Sequence, residues 1–212
     1  MNGSVELEPG RKVTPGVDAV KVDGKAVRPF AQWIYVLVNK PRGVVVTLDD
    51  PQRRPVIMDF VPRLPARVFP VGRLDLNSTG LVLLTNHGDL AERLSHPRYE
   101  VPRTYRVKVS GHLTEAQLQR LRDGVRLEDG KTRSAQARII RRNRGSMVVD
   151  LTLREGRNRQ VRRMMDAVGH PVRRLNRTRL GPLALDGMPL GEARLLGPTE
   201  ATELLSSVGL KT

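Results

Sequence analysis

A turn that leads directly into a buried strand is the feature that most constrains the fold of this chain. The segment Gly72-Arg73-Leu74-Asp75-Leu76-Asn77-Ser78-Thr79-Gly80 ends on a Ser-Thr-Gly bend, and the apolar run Leu81-Val82-Leu83-Leu84 follows it. A short apolar run bounded by turn residues is typical of a buried strand. We therefore expect Asp75 to lie on a loop beside the core, where its carboxylate is offered to an open site.

The charge of the chain points to a polyanionic partner. Lys and Arg together number 37 against 22 for Asp and Glu, which gives a net charge of +15 over 212 residues. Such an excess, made mostly of arginine, is typical of nucleic-acid binding. A compositional bias toward arginine is the alternative, and clustering of the arginines argues against it. The length suffices for one substantial core or two small ones.

Several classes of protein are excluded by what the sequence lacks. It has no cysteine, which excludes disulfides and thiolate metal sites, and its four histidines show no paired metal spacing. It contains no apolar stretch of the roughly 20 residues that span a bilayer, and no N-terminal signal. We therefore expect a cytoplasmic protein with no metal, no cofactor and no membrane partner.

The arginines cluster between residues 154 and 179. This segment holds nine arginines and only two acids, Glu155 and Asp166. Residues 158–168 are predicted to form a helix whose apolar residues make one stripe, and they are Val161, Met164, Met165 and Val168. The arginines of this helix must then lie on its other faces, where they suit phosphate groups. A solvated charged face is the alternative.

Asp75 has an ordinary interpretation and a functional one. Most loop aspartates satisfy backbone N–H groups in turns or cap helices. However, the segment from Gly72 through Asn86 resembles the signature of the bacterial ribosomal RNA pseudouridine synthases, and most closely their large-subunit pseudouridine synthase B branch. The resemblance implies that Asp75 is the catalytic residue. It also implies that Arg73 reaches into the RNA and helps to hold a flipped nucleotide, whose extrusion costs a few kcal/mol.

Two further segments carry the same resemblance. Glu155-Gly156-Arg157-Asn158-Arg159-Gln160-Val161-Arg162-Arg163-Met164 is similar to another signature of the family, which implies that Arg162 pairs with the catalytic carboxylate; Arg163 is the alternative. An arginine beside a carboxylate keeps it ionised for use as a nucleophile or base. Arg103-Thr104-Tyr105 resembles the family's basic-x-Tyr strand, which implies that Tyr105 stacks on the target uracil and can move a proton. A half-buried strand tyrosine is the ordinary interpretation.

The resemblance implies isomerisation of uridine to pseudouridine in ribosomal RNA, with 23S RNA as the substrate, no cofactor and a monomeric enzyme. It implies an α+β fold with a mixed, largely antiparallel sheet and flanking helices over residues 33–205. A cleft would separate halves at about 33–100 and 101–205. The arginines that we expect to bind RNA are Arg73, Arg103, Arg157, Arg159, Arg163, Arg177 and Arg179.

Residues 1–30 are predicted to be a separate N-terminal segment. Asn2-Gly3 and the run from Val20 to Lys25 resemble the closing β-part of an S4-like RNA-binding module. The two basic helices that open such a module are not present before this part. We expect either a shortened S4-like module or a plain β-hairpin, in which Asp23-Gly24 forms the turn.

The remaining patterns predict the main elements of the larger domain. Strands are predicted at 34–38, 44–47, 81–85, 104–109, 125–128, 132–142 and 146–154. Three further helices are predicted. The first spans residues 90–94 with Asp89 as its cap, the second follows a capping box at 114–117, and the third runs from a cap at Thr199 to residue 205.

Two other functions are compatible with the charge. A non-catalytic RNA-binding protein, such as a ribosome assembly factor, explains the arginines but not the paired signatures or Tyr105. A DNA-binding regulator would need a recognition helix in the major groove, and no helix-turn-helix pattern precedes the arginine-rich helix. The decisive question is whether Asp75, Tyr105 and Arg162 meet in one cleft.

Overall fold

The computed structural model describes residues 1–14, 17–27 and 32–211, and it divides the chain into two compact units. The first unit is Met1–Trp33 and the second is Ile34–Thr212. None of the helices within the described ranges is long and apolar enough to cross a membrane.

The first unit contains one β-hairpin. Strand β1 (Val20–Val22) pairs antiparallel with β2 (Lys25–Val27). Asp23 and Gly24 join them with φ angles of 49° and 75°, as a two-residue turn of the hairpin type requires. The predicted turn is therefore confirmed. Asn2 lies beside the hairpin, since its side chain accepts from the N–H of Ala19 and donates to Asp18.

The second unit is built on one large sheet. Its strands are β3 (Tyr35–Lys40), β4 (Phe69–Pro70), β5 (Thr79–Thr85), β6 (Arg103–Ser110), β7 (Arg126–Leu127), β8 (Gly130–Lys131), β9 (Gln136–Asn143), β10 (Ser146–Leu153), β11 (Val172–Leu180), β12 (Leu183–Ala184) and β13 (Ala193–Leu195). Over the described residues, the main path of the sheet runs β13-β3-β5-β11-β6-β10-β9. Strands β4 and β12 pair with β5 and β11, while β7 and β8 form a separate two-stranded ribbon.

The sheet is mixed and largely antiparallel, as predicted. Strands β5 and β11 run parallel, with Thr79 opposite Asn176 and Gly80 opposite Arg177. The other strand pairs of this sheet are antiparallel in the described part of the chain. The β5–β11 pair therefore joins the two halves of the sheet at its centre.

Four α-helices flank the sheet in the described residues. They are α1 (Gly88–Ser95), α2 (Glu115–Asp123), α3 (Gln160–Ala167) and α4 (Pro198–Ser207), and short 3₁₀ turns occur at Ile57–Phe60 and Pro97–Tyr99. Helices α2 and α3 pack on β6 and β10. Helices α1 and α4 pack on one face of β3 and β5, and the segment from Ile57 to Leu74 covers the other face.

The two halves do not follow the predicted division of the chain at residues 100 and 101. Strand β13 pairs with β3, and Leu204 and Leu205 of α4 share an apolar cluster with Leu37 and Leu83. The C-terminal segment thus returns to the half of the sheet that residues 34–95 begin. Burial of α4 against β3 and β5 explains this return, because the helix would otherwise expose its leucines.

Helix α3 shows how far periodicity predicts packing. Its stripe of Val161, Met164, Met165 and Val168 is buried, as predicted. The helix begins at Gln160 instead of Asn158, because Arg159 adopts a left-handed φ of 47° at the N-cap. The capping box predicted for α2 is also confirmed, since Thr114 and Gln117 exchange hydrogen bonds.

Two predicted helix caps are wrong. Helix α1 begins at Gly88 after His87, so Asp89 lies within the first turn, where its charge favours the helix dipole. Helix α4 begins at Pro198, and the Glu200 side chain accepts from the Gly197 N–H, so Thr199 is not the cap. In neither case does the residue before the helix make a side-chain capping bond.

Two strand predictions also differ from the structure, and the sequence patterns miss one central strand. Residues 44–47 form only an isolated bridge, Val45 to Val56, because the neighbouring segment is rich in proline and cannot supply a ladder of donors. Residues 132–135 precede β9, which begins at Gln136. Strand β11, in the centre of the sheet, is not predicted by the sequence patterns at all.

Candidate active site

A pocket of about 190 Å³ lies where β5 and β11 meet. Its lining mixes polar and charged side chains with apolar ones, and the apolar ones include Leu94, Leu153, Val161, Leu175 and Leu180. The loop before β5 and the segment before α3 both line it, so the two signature segments face one space. The volume is below the roughly 300–1,000 Å³ of pockets for drug-sized ligands, which suits a single flat ring.

Asp75 lies at this pocket on a tight turn. The N–H of Ser78 donates to the carbonyl oxygen of Asp75 at 3.0 Å, and the side chain of Asp75 is 37% exposed. Two guanidinium groups approach its Oδ2 atom: Nη1 of Arg159 at 3.7 Å and Nε of Arg162 at 3.8 Å. Both distances exceed a hydrogen bond, so the carboxylate is attracted by two cations and remains accessible from the pocket.

Arg162 is the more enclosed of these two cations. Its side chain is 14% exposed, against 55% for Arg159. Its Nη2 donates to the Ser78 hydroxyl at 3.5 Å, and its buried Nε has no hydrogen-bond partner in the described structure. Burial, with a contribution from Arg159, lowers the pKa of Arg162, and Asp75 opposes that change. Arg162 is therefore held against Asp75, as predicted, whereas Arg163 pairs with Asp129.

Tyr105 lies near the start of β6 and lines the same pocket. Its backbone stands opposite Leu151 of β10 and Arg177 of β11. The ring packs against apolar clusters on both sides of the β5–β11 junction. The structure therefore brings Tyr105 to the pocket that Asp75 lines, and Arg162 contacts Asp75 from α3.

Lys40 fixes the loop that carries Asp75. It is fully buried at the end of β3, and its ammonium group donates to the carbonyl oxygens of Val44 at 2.8 Å, Pro41 at 3.0 Å and Leu76 at 3.4 Å. Burial lowers the pKa of Lys40 to about 8, although Asp75 opposes the change. Lys40 thus connects β3 to the residue that follows Asp75.

We expect Lys40 to make stability depend on pH. Unfolded lysine keeps its proton up to about pH 10.5, whereas Lys40 in the fold loses it near pH 8. The unfolded state therefore binds more protons in this window, so the free energy of unfolding rises with pH. Relative to that of Lys40→Met, the free energy of unfolding of the wild type should rise by about 2 kcal/mol between about pH 7.5 and about pH 9.5. Urea unfolding at each pH measures this difference. The exposed control Lys131→Met should show no such difference from the wild type. Parallel pH curves for wild type and Lys40→Met would contradict this assignment.

Two of the arginines expected to bind RNA are buried inside the pocket and do not lie on an open surface. Arg103 is 8% exposed and donates through Nη2 to the carbonyl oxygens of Leu94 at 2.8 Å and Ser95 at 3.2 Å. Arg177 is 3% exposed and donates through Nε to the Leu81 carbonyl oxygen at 2.8 Å. Their positions follow from strands β6 and β11, which bring both side chains to the pocket.

Two others are engaged by acidic side chains. Arg163 makes two hydrogen bonds to Asp129, at 2.9 and 3.0 Å, and this pairing lowers the pKa of Asp129. Arg157 contacts Glu155 at 3.2 Å and the carbonyl oxygen of Lys131 at 2.8 Å. These two guanidinium groups therefore hold the β7–β8 ribbon against the start of α3, which the sequence does not indicate.

The remaining three arginines of that set are exposed. Arg73 and Arg159 lie at the pocket, and Arg179 lies on β11 outside the pocket lining. Arg73 and Arg159 are thus the members of the set whose charges face both solvent and the pocket.

Sequence reasoning missed a buried polar pair in the pocket lining, Glu155 and Gln160. Glu155 accepts from the Arg133 N–H at 3.0 Å and from Gln160 Nε2 at 2.5 Å. The Gln160 side chain in turn accepts from the Arg157 N–H at 3.1 Å. These bonds hold the turn that leads into α3 and thereby place Arg159 and Arg162. A Glu five residues before a Gln, at a helix start, was the available signal.

The arginine-rich helix is not a DNA-recognition helix of the helix-turn-helix type. Strand β10 precedes α3, and no helix lies immediately before it in the described chain. Within the same residues, no group of three or more His, Asp or Glu side chains comes together in a way that could hold a metal ion.

Comparison with known proteins identifies the family. The sequence profile described as RNA pseudouridylate synthase matches residues 34–167, which is more than half of the chain. The chain is 43% identical over 206 residues to the ribosomal large subunit pseudouridine synthase B of Bacillus subtilis (strain 168), covering 96% of this chain and 84% of the relative. It is 41% identical over 212 residues to an uncharacterized RNA pseudouridine synthase of Aquifex aeolicus (strain VF5), covering 100% and 85%.

A solved structure agrees with this result. The crystal structure of a pseudouridylate synthase superposes with a TM-score of 0.76 at 29% identity, covering 96% of this chain and 86% of the other. The matched range contains Asp75 and Tyr105, which line one pocket, and Arg162, which approaches Asp75. The chain therefore belongs to the RNA pseudouridine synthase family and is an isomerase of uridine in RNA.

Proposed function

We propose that this enzyme converts a uridine of 23S ribosomal RNA into pseudouridine, with Asp75 as the essential carboxylate. One observation carries the assignment of Asp75: its carboxylate faces a ring-sized pocket while two guanidinium groups approach within 4 Å. The name of the Bacillus subtilis relative, a ribosomal large subunit pseudouridine synthase, supports the choice of large-subunit RNA.

The chemistry needs only groups that this pocket supplies. The bond between N1 of uracil and C1′ of the ribose breaks, the ring turns, and C5 joins C1′. The proton leaves C5 and N1 gains one, so atoms and electrons balance with no oxidant and no second substrate. A carboxylate can assist as a nucleophile or a base, and the apolar side chains in the lining can hold the ring while it turns.

The other side chains have separate roles in this proposal. Tyr105 forms a wall against which the extruded uracil stacks, as enzymes acting on flipped bases require. Arg162 orients Asp75 from α3, and its contact with Ser78 holds the same turn. Arg73 and Arg159 are exposed at the pocket and would contact the RNA backbone, where phosphate contacts supply affinity.

The test is to supply the enzyme with ribosomal RNA from a strain that lacks it. Pseudouridine is then mapped at single-nucleotide resolution in 23S and 16S RNA, both as free RNA and within particles. We expect one new pseudouridine in 23S RNA. A new site in 16S RNA alone would overturn the choice of substrate. Binding of both RNAs without any pseudouridine would favour the alternative, a non-catalytic assembly factor on this scaffold.

A further inference from the structure

The inner end of the pocket contains a hydrogen-bond donor that the protein does not satisfy. Arg177 bonds through Nε to Leu81, but its buried Nη2 has no hydrogen-bond partner in the described structure. A buried donor without a partner costs about 1–3 kcal/mol, and more when it is charged. Because Arg177 lines the pocket, a ligand can supply the missing acceptor.

A second guanidinium group adds to this unsatisfied charge. Arg103 and Arg177 make no ion pair with any carboxylate in the described ranges, unlike Arg157 and Arg163. Burial lowers the pKa of Arg103, and the charge of Arg177 acts in the same direction. Tyr105 opposes this change. Two buried guanidinium groups that pair with no carboxylate of the described residues therefore line the pocket before any ligand enters.

The sheet register brings these groups to one face. Arg177 stands opposite Tyr105 on the neighbouring strand, and Arg103 precedes Tyr105 by two residues on β6. Residues two apart on a strand share a face, so the two arginines and the tyrosine line the pocket together. Leu153, Leu175 and Leu180 line the same pocket, together with polar groups such as Glu155 and Gln160. Apolar side chains beside two guanidinium groups suit the edge of a flat ring better than a hydrated phosphate.

We propose that Arg103 and Arg177 form a subsite that binds the carbonyl oxygen at position 4 of the target pyrimidine and thereby selects uracil over cytosine. The inference rests on the proposed function, because it takes the target ring as the occupant of the pocket. A guanidinium group only donates hydrogen bonds. Position 4 of uracil presents an acceptor oxygen, as in thymine, whereas cytosine presents an amino donor there. Cytosine would therefore turn an amino donor toward two buried guanidinium groups and leave their N–H donors without an acceptor.

The same subsite would act on the rate. When the N1–C1′ bond breaks with its electron pair going to the ring, negative charge spreads onto the ring oxygens. Fixed donors aimed at developing charge in a water-poor site stabilise the transition state more than the ground state. Loss of Arg177 should therefore reduce the rate at which bound RNA is converted more than it reduces the affinity for RNA.

The test uses Arg177→Lys and Arg177→Ala, with Arg141→Met as a matched loss of an exposed arginine on β9. We expect the single-turnover rate at saturating RNA to fall about 100-fold or more in Arg177→Ala, the loss typical of one transition-state donor. The dissociation constant and its salt dependence should stay unchanged. Methylguanidinium should restore part of the rate in Arg177→Ala only, and Arg141→Met should keep the wild-type rate.

Other outcomes would overturn the proposal. If Arg177 bound a phosphate instead, affinity and the salt slope would fall, by about one unit of slope, while the rate at saturation stayed constant. If Arg177 were only structural, the melting temperature would fall and methylguanidinium would restore nothing.

A second measurement does not depend on turnover, so it separates this proposal from failure of the proposed function. The ¹⁵N-labelled protein is titrated with uracil, cytosine and inorganic phosphate, and the Nε–Hε signal of Arg177 is assigned by its loss in Arg177→Lys. We expect uracil to shift that signal and cytosine to leave it in place. Equal shifts with both bases, or a shift with phosphate alone, would overturn the subsite even in a protein that makes no pseudouridine.

Discussion

Replacing Asp75 by asparagine should abolish pseudouridine formation while leaving the fold and the RNA affinity intact. Asparagine keeps the size of the side chain and its hydrogen bonding, but it removes the charge that faces the pocket. Loss of a group that acts as a general base or nucleophile should lower the single-turnover rate by at least about 10³-fold. The measurement is pseudouridine formed at saturating RNA, with the RNA dissociation constant and the melting temperature measured on the same preparations.

Asp166→Asn is the matched control for this variant. Asp166 is an exposed carboxylate of α3. Like Asp75 it acts to raise the pKa of Arg162, but it does not line the pocket. We expect Asp166→Asn to retain the wild-type rate within a few fold. If Asp75→Asn still forms pseudouridine at a rate near the wild type, Asp75 is a turn residue and another group carries the chemistry. An equal loss in both variants would mean that the general charge balance around Arg162 is responsible.

The position of Asp75 could be predicted because two local signals agree there. A turn followed by a buried apolar strand defines the end of a loop at the sheet, and the sheet contains that strand as β5. The helix stripe of Val161, Met164 and Met165 likewise fixed which face of α3 is buried, and hence that Arg162 lies off the core. Periodicity and turn chemistry are local, so they can be read without knowing the partner strands.

The pocket interior could not be predicted in the same way. Strand β11 carries four arginines in nine residues, and a charge run of this kind usually lies on a solvated surface. Its burial depends on β5 and β6, which pair with it from distant parts of the chain. Arg103 and Arg177 therefore looked like surface groups in the sequence, although tertiary pairing places them inside. The pairing of Arg163 with Asp129 is equally non-local, since 34 residues separate them.

Gly80 is the residue on which this distant pairing depends most directly. It stands opposite Arg177 where β5 and β11 run parallel, and opposite Lys40 on β3. A Cβ atom at Gly80 would lie 2.6 Å from the Arg177 backbone nitrogen and closer still to the Arg177 carbonyl oxygen, at a φ of 112°. Backbone atoms in a sheet cannot move away as a flexible side chain can. Any side chain at this position must therefore separate the two central strands.

We expect Gly80→Ala to lower the free energy of unfolding by at least about 3 kcal/mol, because overpacking and a forbidden backbone conformation add together. Gly88→Ala is the matched control, since a Cβ atom at Gly88 would meet open space and its φ is not positive. At the start of α1 that change should be neutral, or stabilising by less than about 1 kcal/mol. Urea unfolding of both variants measures the difference. A free energy of unfolding for Gly80→Ala within about 0.5 kcal/mol of the wild type would contradict the close approach, because changes of that size are typical of ordinary surface substitutions. Because the β5–β11 pair also places Arg177 and Tyr105 relative to the Asp75 loop, the folded fraction of Gly80→Ala should lose activity beyond what its lower stability explains.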